Sequence, residues 1–171
     1  LDPQREPVEL PLGQRIGAFL FHRVLGGDHE VRLGEAMGDA LDRHPALRVL
    51  VSEGGATWVP YIGDRMNEAY RQHAMFVRPP LSRLPKEYLY ENVYASFQHD
   101  ETAVAAVTAM GYRNVMFGSD YPHMEGTYGH TQETLHHLFD GVDADTRYRV
   151  TCGAFLDLFP EVGAPPALIA A

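Results

Sequence analysis

The sequence predicts an α/β fold built from parallel β/α units. Two observations carry that expectation. Short β-rich runs alternate with stretches of helical periodicity, and the connections between successive runs are long enough to hold a crossover helix. With 171 residues, 45% of them apolar, the chain can bury one core of ordinary size, and a single domain over residues 1–171 is expected.

The elements follow in order. Leu1 to Leu12 holds Pro3, Pro7 and Pro11 and reads as an extended arm. A short helix is expected over residues 13–25, around Ile16, Phe19 and Leu20. A second, amphipathic helix over 30–44 places Val31, Leu33, Ala36, Met37, Ala40 and Leu41 on its apolar face, and Pro45 ends it. Leu47–Glu53 is β-rich, lies between Pro45 and the Gly54-Gly55 pair, and reads as a buried strand.

A helix over 57–73 would turn Trp58, Tyr61, Ile62, Met66 and Tyr70 inward. Residues 74–91, with Pro79, Pro80 and Pro85, read as a long loop. Asn92–Gln98 is the second strand. Asp100 is a candidate N-cap for a helix over 101–111 that carries Val104, Val107 and Met110 inward and closes at Gly111. Asn114–Asp120 is the third strand, and the loop 121–130 leads to a helix over 131–139. Asp143 or Asp145 caps a last helix that runs toward Phe159, breaks near Gly153 and stops at Pro160. Residues 163–171 read as a loose tail.

Parallel strands joined this way make either a doubly wound sheet or a (β/α)8 barrel. A whole barrel needs roughly 200 residues or more, so 171 residues with three clear strands are too few for one.

Composition removes several functions. Lys plus Arg number 14 and Asp plus Glu 23, a formal charge of −9. So acidic a domain does not neutralise nucleic-acid phosphates, and it is equally unsuited to anionic membrane surfaces. No apolar run approaches the ~20 residues of a membrane span, and the charged, proline-bearing N-terminus is not a signal peptide. The single cysteine, Cys152, excludes an intrachain disulfide and a Cys-rich zinc module. It lies in an apolar helical stretch and reads as a buried structural thiol. A reducing, cytoplasmic setting fits these features.

The chemistry gathers where strands end. The first strand ends in Ser52-Glu53, the second in Gln98-His99-Asp100, the third in Ser119-Asp120. Carboxyl ends of strands hold the chemistry of either architecture, and carboxylates and imidazoles converging on one rim suit a metal or an acid–base site. For Asp100 the capping role is the stronger reading. For Asp120 the functional one is stronger, because Pro122 and Gly126 delay the next helix. Gly118-Ser-Asp-Tyr-Pro-His123 can aim the Asp120 carboxylate and the His123 imidazole at one point, the pairing that a metal-bound water requires.

His123-Met-Glu125 matches the H-x-E of zinc deaminases only superficially, since no P-C-x-x-C accompanies it. Of the nine histidines, His44, His136 and His137 read as solvated, while His22, His99 and His130 stay open as site candidates. There is no H-E-x-x-H, P-loop, G-x-G-x-x-G or G-x-S-x-G.

Three blocks together carry a family resemblance: Leu47–Arg65, Tyr88–Asp100 and Val115–Thr131. In order and spacing the chain resembles the amidohydrolase-related, aminocarboxymuconate-semialdehyde-decarboxylase-like family of metal-dependent TIM-barrel hydrolases. The resemblance implies parallel β/α units corresponding to the C-terminal part of a (β/α)8 barrel. It implies a divalent metal at the C-terminal rim, zinc in the first place with Mn²⁺ or Mg²⁺ as alternatives, and cleavage of small organic acids by hydrolysis or decarboxylation. Asp120 matches the Asp of the family's last strand, which implies a metal ligand or the catalytic residue that holds the reacting water. Glu53 stands where a His precedes a Gly pair in many members, which makes the site richer in oxygen. His123 would flank the site as a catalytic group.

The family's first-strand H-x-H pair has no counterpart in these 171 residues. The matched blocks are therefore expected to be the last three β/α units, with weak metal binding and no activity of their own until the upstream half is restored. The contrasting expectation is a non-catalytic binding or assembly module. A partial barrel leaves strand edges and an apolar inner wall uncovered, which implies a homo-oligomer. Trp58, Tyr61, Tyr121 and Tyr128 point to an aromatic or carboxylate-bearing small molecule as substrate.

Overall fold

The computed structural model describes residues 16–17, 38–73, 75 and 80–163. Among them four strands form one sheet in sequential order: β1 (Ile16–Gly17), β2 (Val49–Val51), β3 (Val93–Phe97) and β4 (Val115–Phe117). Every pairing is parallel, with Ile16 beside Val49, Leu50 beside Tyr94 and Ser96 beside Met116. The three strands expected from sequence are present, adjacent and parallel, shortened at their ends. β1 falls where a helix was expected over 13–25. Pairing with Val49 and Leu50 satisfies the Ile16–Gly17 backbone and overrides the local helical preference. The remainder of that segment, the arm 1–12 and residues 164–171 of the tail lie outside the described residues.

Residues 38–43 are helical (α1) and end ahead of Pro45 as predicted. The second helix, α2, spans Trp58–His73, and Pro60 falls in its first turn, where its missing N–H costs no bond. Its buried side is Val59, Pro60, Gly63, Met66 and Asn67. Tyr61, expected inward, is 64% exposed, because it sits one position off that stripe.

The segment 74–91 is not a loop throughout. Helix α3 occupies Pro85–Asn92. Proline at the first helical position is preorganised for the turn, and the Glu87 carboxylate accepts from the Leu84 N–H at 2.8 Å. Helix α4 covers Ala103–Thr108, with Val104 and Val107 buried as expected. Met110 lies beyond its end and is exposed, the second inward assignment to be corrected.

Helix α5 spans Thr131–Leu138 and α6 spans Ala144–Tyr148. Asp143 caps α6 by accepting from Thr146 N–H at 2.8 Å. The predicted break near Gly153 is a π-helical turn over Arg149–Gly153, after which α7 runs from Ala154 to Leu158. Cys152 lies in that turn and is half-buried rather than buried. No helix among the described residues is long and apolar enough to cross a membrane.

Strand alternation sorts the core into two layers. Val93, Ala95, Phe97 and Val115 pack with Val59 and Met66 of α2, the inner face of α4, and Leu138 and Phe139 of α5 and its end. Leu50, Tyr94 and Met116 face the other way and meet Ala154, Leu158 and Phe159. The inner wall, expected to be uncovered, is therefore covered by α7 at these residues. Buried on both faces, β3 reads as the near-continuous apolar run of an interior parallel strand.

Candidate metal and acid–base site

Parallel strands deliver their C-terminal ends to one edge of the sheet, so Glu53, His99 and Asp120 arrive on the same rim. The exits of β2 and β4 share an unusual local conformation. Glu53 (φ 57°) and Asp120 (φ 55°) both occupy the left-handed region, which opposes an L side chain by roughly 1–2 kcal/mol. Such conformations persist only where surrounding bonds enforce them.

At Asp120 the enforcing bonds are local. His123 N–H donates to Asp120 C=O at 2.8 Å, Gly126 N–H to His123 C=O at 3.1 Å, and Thr127 N–H to Ser119 C=O at 2.8 Å. Gly126 is packed so closely that an added Cβ would lie 2.7 Å from Ser119 O and 2.8 Å from Asp120 O. Only glycine lets this loop fold back onto the strand exit.

The result is one cluster. His123 Nδ1 lies 2.9 Å from Asp120 Oδ1 and 3.9 Å from Glu53 Oε2. Three potential ligand atoms, one each from Glu53, Asp120 and His123, fall within 4.8 Å of one another. Asp120 is 4% exposed, whereas Glu53 and His123 are half open to solvent. Asp120 Oδ2 is buried and has no hydrogen-bond partner among the described residues. A buried carboxylate oxygen left unpaired is costly, and two carboxylates beside one imidazole are a donor set for a divalent cation. On both counts the residues fit such an ion.

The other rim candidates go elsewhere. His99 Nε2 bonds to Glu125 O at 3.0 Å, and its ring stacks on His130 at 6.0 Å. Both face a groove of about 400 Å³ with Glu101, Glu133 and His137. No three of those side chains bring ligand atoms to one point. His22 lies outside the described residues. The Tyr121 and Tyr128 rings meet at 4.9 Å, tilted by 51°, and are exposed beside the site.

The helix begins later than expected, with Thr102 at its N-cap, so Asp100 is not the cap itself; it ties the turn ahead of α4 and has a second role that sequence reading missed. Its Oδ1 accepts from Thr102 N–H at 2.9 Å and from the Thr102 hydroxyl, at the start of α4. Its Oδ2 reaches back to the β2 exit and accepts from Ala56 N–H at 3.2 Å and Thr57 Oγ1–H at 3.3 Å. Burial pushes its pKa up, but these hydrogen bonds outweigh burial and hold the carboxyl below its ordinary range. Ser96 was also missed: its Oγ accepts from Glu53 N–H at 2.9 Å. Alternation from Tyr94 signalled that Ser96 shares a face with Leu50 and Met116, but not that it would meet a backbone donor of the neighbouring strand's exit.

The sequence model of the Amidohydrolase family matches residues 29–154. No curated protein matches the chain. Among solved structures, an amidohydrolase from Mycobacterium avium subsp. paratuberculosis K-10 is similar, with a TM-score of 0.61 and 22% identity over 77% of this chain and 32% of its own. A dihydroxybenzoic acid decarboxylase from Polaromonas sp. JS666, solved with manganese and the inhibitor 2-nitroresorcinol, gives 0.57 at 22% identity, covering 81% of this chain and 40% of its own. A 5-carboxyvanillate decarboxylase from Sphingomonas paucimobilis gives 0.59 at 20% identity, covering 78% and 39%. At these identities the likeness shows the fold. The chain spans about a third of the first of these structures and two-fifths of the other two.

Proposed function

The chain belongs to the amidohydrolase family, and on that premise we propose that it supplies the C-terminal rim of a metal-dependent enzyme that cleaves small organic acids. Asp120 and Glu53 hold a divalent cation, and His123 moves the proton. The observation that carries this reading is the buried, unpartnered Asp120 Oδ2 beside Glu53 and His123.

Asp120 has two tasks, one for each oxygen. Oδ1 lies 2.9 Å from His123 Nδ1, a contact that orients the ring and leaves Nε2 free to take up and pass on a proton. Oδ2, left without a partner, and the Glu53 carboxylate would hold the cation. When bound, the cation supplies positive charge against the substrate's carboxylate and neighbouring oxygen. Oxygen donors favour Mn²⁺ or Mg²⁺ over zinc at these two residues.

Decarboxylation of a small aromatic acid is the form this reading takes. It is supported by the two decarboxylase folds among the similar structures, one of them solved with manganese, and by the exposed Tyr121–Tyr128 pair at the rim. In that reaction the bond from ring carbon to carboxylate breaks, CO2 leaves, and His123 delivers a proton to the same carbon. Hydrolysis of an organic acid derivative is the alternative outcome.

The test is Mn²⁺ titration of this chain by electron paramagnetic resonance. Asp120→Asn is expected to weaken binding by about 10- to 100-fold with the circular-dichroism spectrum unchanged. Equal binding by the wild-type chain and Asp120→Asn overturns the assignment. Extending the chain upstream and assaying CO2 release from hydroxybenzoates then separates decarboxylation from hydrolysis.

A further inference from the structure

Glu53 reaches the cluster on an exposed side chain in a strained backbone conformation, and its own residue makes one backbone bond, to Ser96. Something else must hold the β2 exit. The candidates are few. Trp58 Nε1–H donates to Gly55 O at 3.0 Å, within the same segment. The ties to β3 are Ser96 Oγ and the Asp100 carboxylate.

We infer that Asp100, assisted by Ser96, is a positioning residue that holds Glu53 within reach of Asp120 and His123. The inference rests on the reading above only in taking Glu53 as a site residue.

The geometry is that of a clamp. One Asp100 oxygen is fixed on the first residues before α4, and the other takes the Ala56 N–H and the Thr57 hydroxyl. The Thr57 and Thr102 hydroxyls add a 2.7 Å bond across the same gap. Gly55, at φ 67°, lets the loop pass over the carboxylate, since a Cβ there would lie 3.2 Å from Asp100 Oδ2. The Asp100 hydrogen bonds are directed at the two loops and none at the cluster, so the residue acts through Glu53. With both oxygens bonded, a carboxylate fixes two loops at once. A one-sided helix cap would leave the β2 exit unheld and its Ala56 N–H without a partner. Ser96 adds a second point of attachment, directly under the strained residue.

The experiment has two readouts. The first needs no metal: a carbon-edited nuclear Overhauser cross-peak between the Glu53 γ-protons and the His123 ring in the isolated chain. It is expected in the wild type and in Ser96→Thr, which keeps the hydroxyl. It is expected to vanish in Asp100→Ala and to weaken in Ser96→Ala. A cross-peak retained at full intensity in folded Asp100→Ala overturns the inference. Should Asp100→Ala fail to fold, full intensity in Ser96→Ala together with Asp100→Asn overturns it instead, and loss in either supports it.

The second readout is the Mn²⁺ titration over a double-mutant cycle. Asp100→Ala is expected to weaken Mn²⁺ by about tenfold, as Glu53→Gln does, with the double variant no weaker than either single one. Purely structural damage predicts additive losses, and additive losses would overturn the inference. If the wild-type chain binds no Mn²⁺ while the cross-peak still depends on Asp100, the clamp stands and the metal reading falls.

Discussion

The two ends of the same three strands differ in what is added to the side-chain ties that both contain. At their N-terminal end, side chains tie the backbone. Asn92 Nδ2 donates to Pro45 O at 3.1 Å and Leu47 O at 2.8 Å. Asn114 Nδ2 donates to Tyr90 O at 2.8 Å, and Arg149 donates to Arg113 O at 2.8 Å and to Asn114 Oδ1 at 3.1 Å. The buried Tyr112 hydroxyl donates to Val93 O at 2.8 Å, and burial pushes that phenol's pKa far up. Asn92 Oδ1 is the one side-chain atom of this set left without a partner. At the C-terminal end Ser96 and Asp100 also tie the backbone, and left-handed backbone at Glu53 and Asp120, an unpaired buried carboxylate oxygen and an open imidazole are added to them. The added features stand where the chemistry of β/α units is expected, beyond the C-terminal ends of the strands.

That contrast can be broken at either end. The largest effect is expected from Asn114→Leu, which removes the bonds to Tyr90 O and Arg149. It should cost roughly 2–4 kcal/mol in urea unfolding and leave Mn²⁺ affinity unchanged. Loss of metal affinity in that variant would mean that the two ends are coupled.

Next comes Gly126→Ala, in the site loop. Its methyl would press on Ser119 O and Asp120 O, so a loss of about 1–3 kcal/mol should accompany weaker Mn²⁺ binding. A Tm within error of the wild type would show that the loop has slack. Glu53→Gly should go the other way, gaining about 1 kcal/mol by relieving the left-handed strain while weakening Mn²⁺. A stability loss would place Glu53 among the structural residues.

The smallest effect concerns the contact between α1 and α3. Partial burial raises the Asp42 pKa, but hydrogen bonds from Ser82 and Tyr88, with Arg83 nearby, outweigh it and bring it below its ordinary 3.8. The folded value lies under the unfolded one. The contribution is therefore complete above the unfolded pKa and is lost as pH falls through the folded one, below about pH 4. Asp42→Asn should flatten stability against pH in that window. An unchanged slope in circular-dichroism melts would assign it to other carboxylates such as Asp100.

Sequence periodicity carried β2, β3 and β4, the α2 and α4 cores and the Asp143 cap, because each depends on neighbours a few residues away. Polar strand ends and the Gly118–His123 run likewise made Glu53, Asp120 and His123 legible as rim residues before any geometry was at hand. Their convergence on one point was decided by the tertiary structure, through the parallel register that aligns the strand exits and through the backbone bonds around Gly126. Long-range contacts also decided β1, whose backbone pairs with residues 33 positions away. They turned His99 toward His130 instead of the cluster, and they laid α7 over Leu50, Tyr94 and Met116. The double role of Asp100 has the same origin: its bond to Thr102 lies two residues away and is local, whereas its bond to Ala56 spans 44 residues. Local patterns in a sequence specify the pleat, the helix face and the cap, while a hydrogen bond between two strand exits exists only once the sheet has brought them side by side.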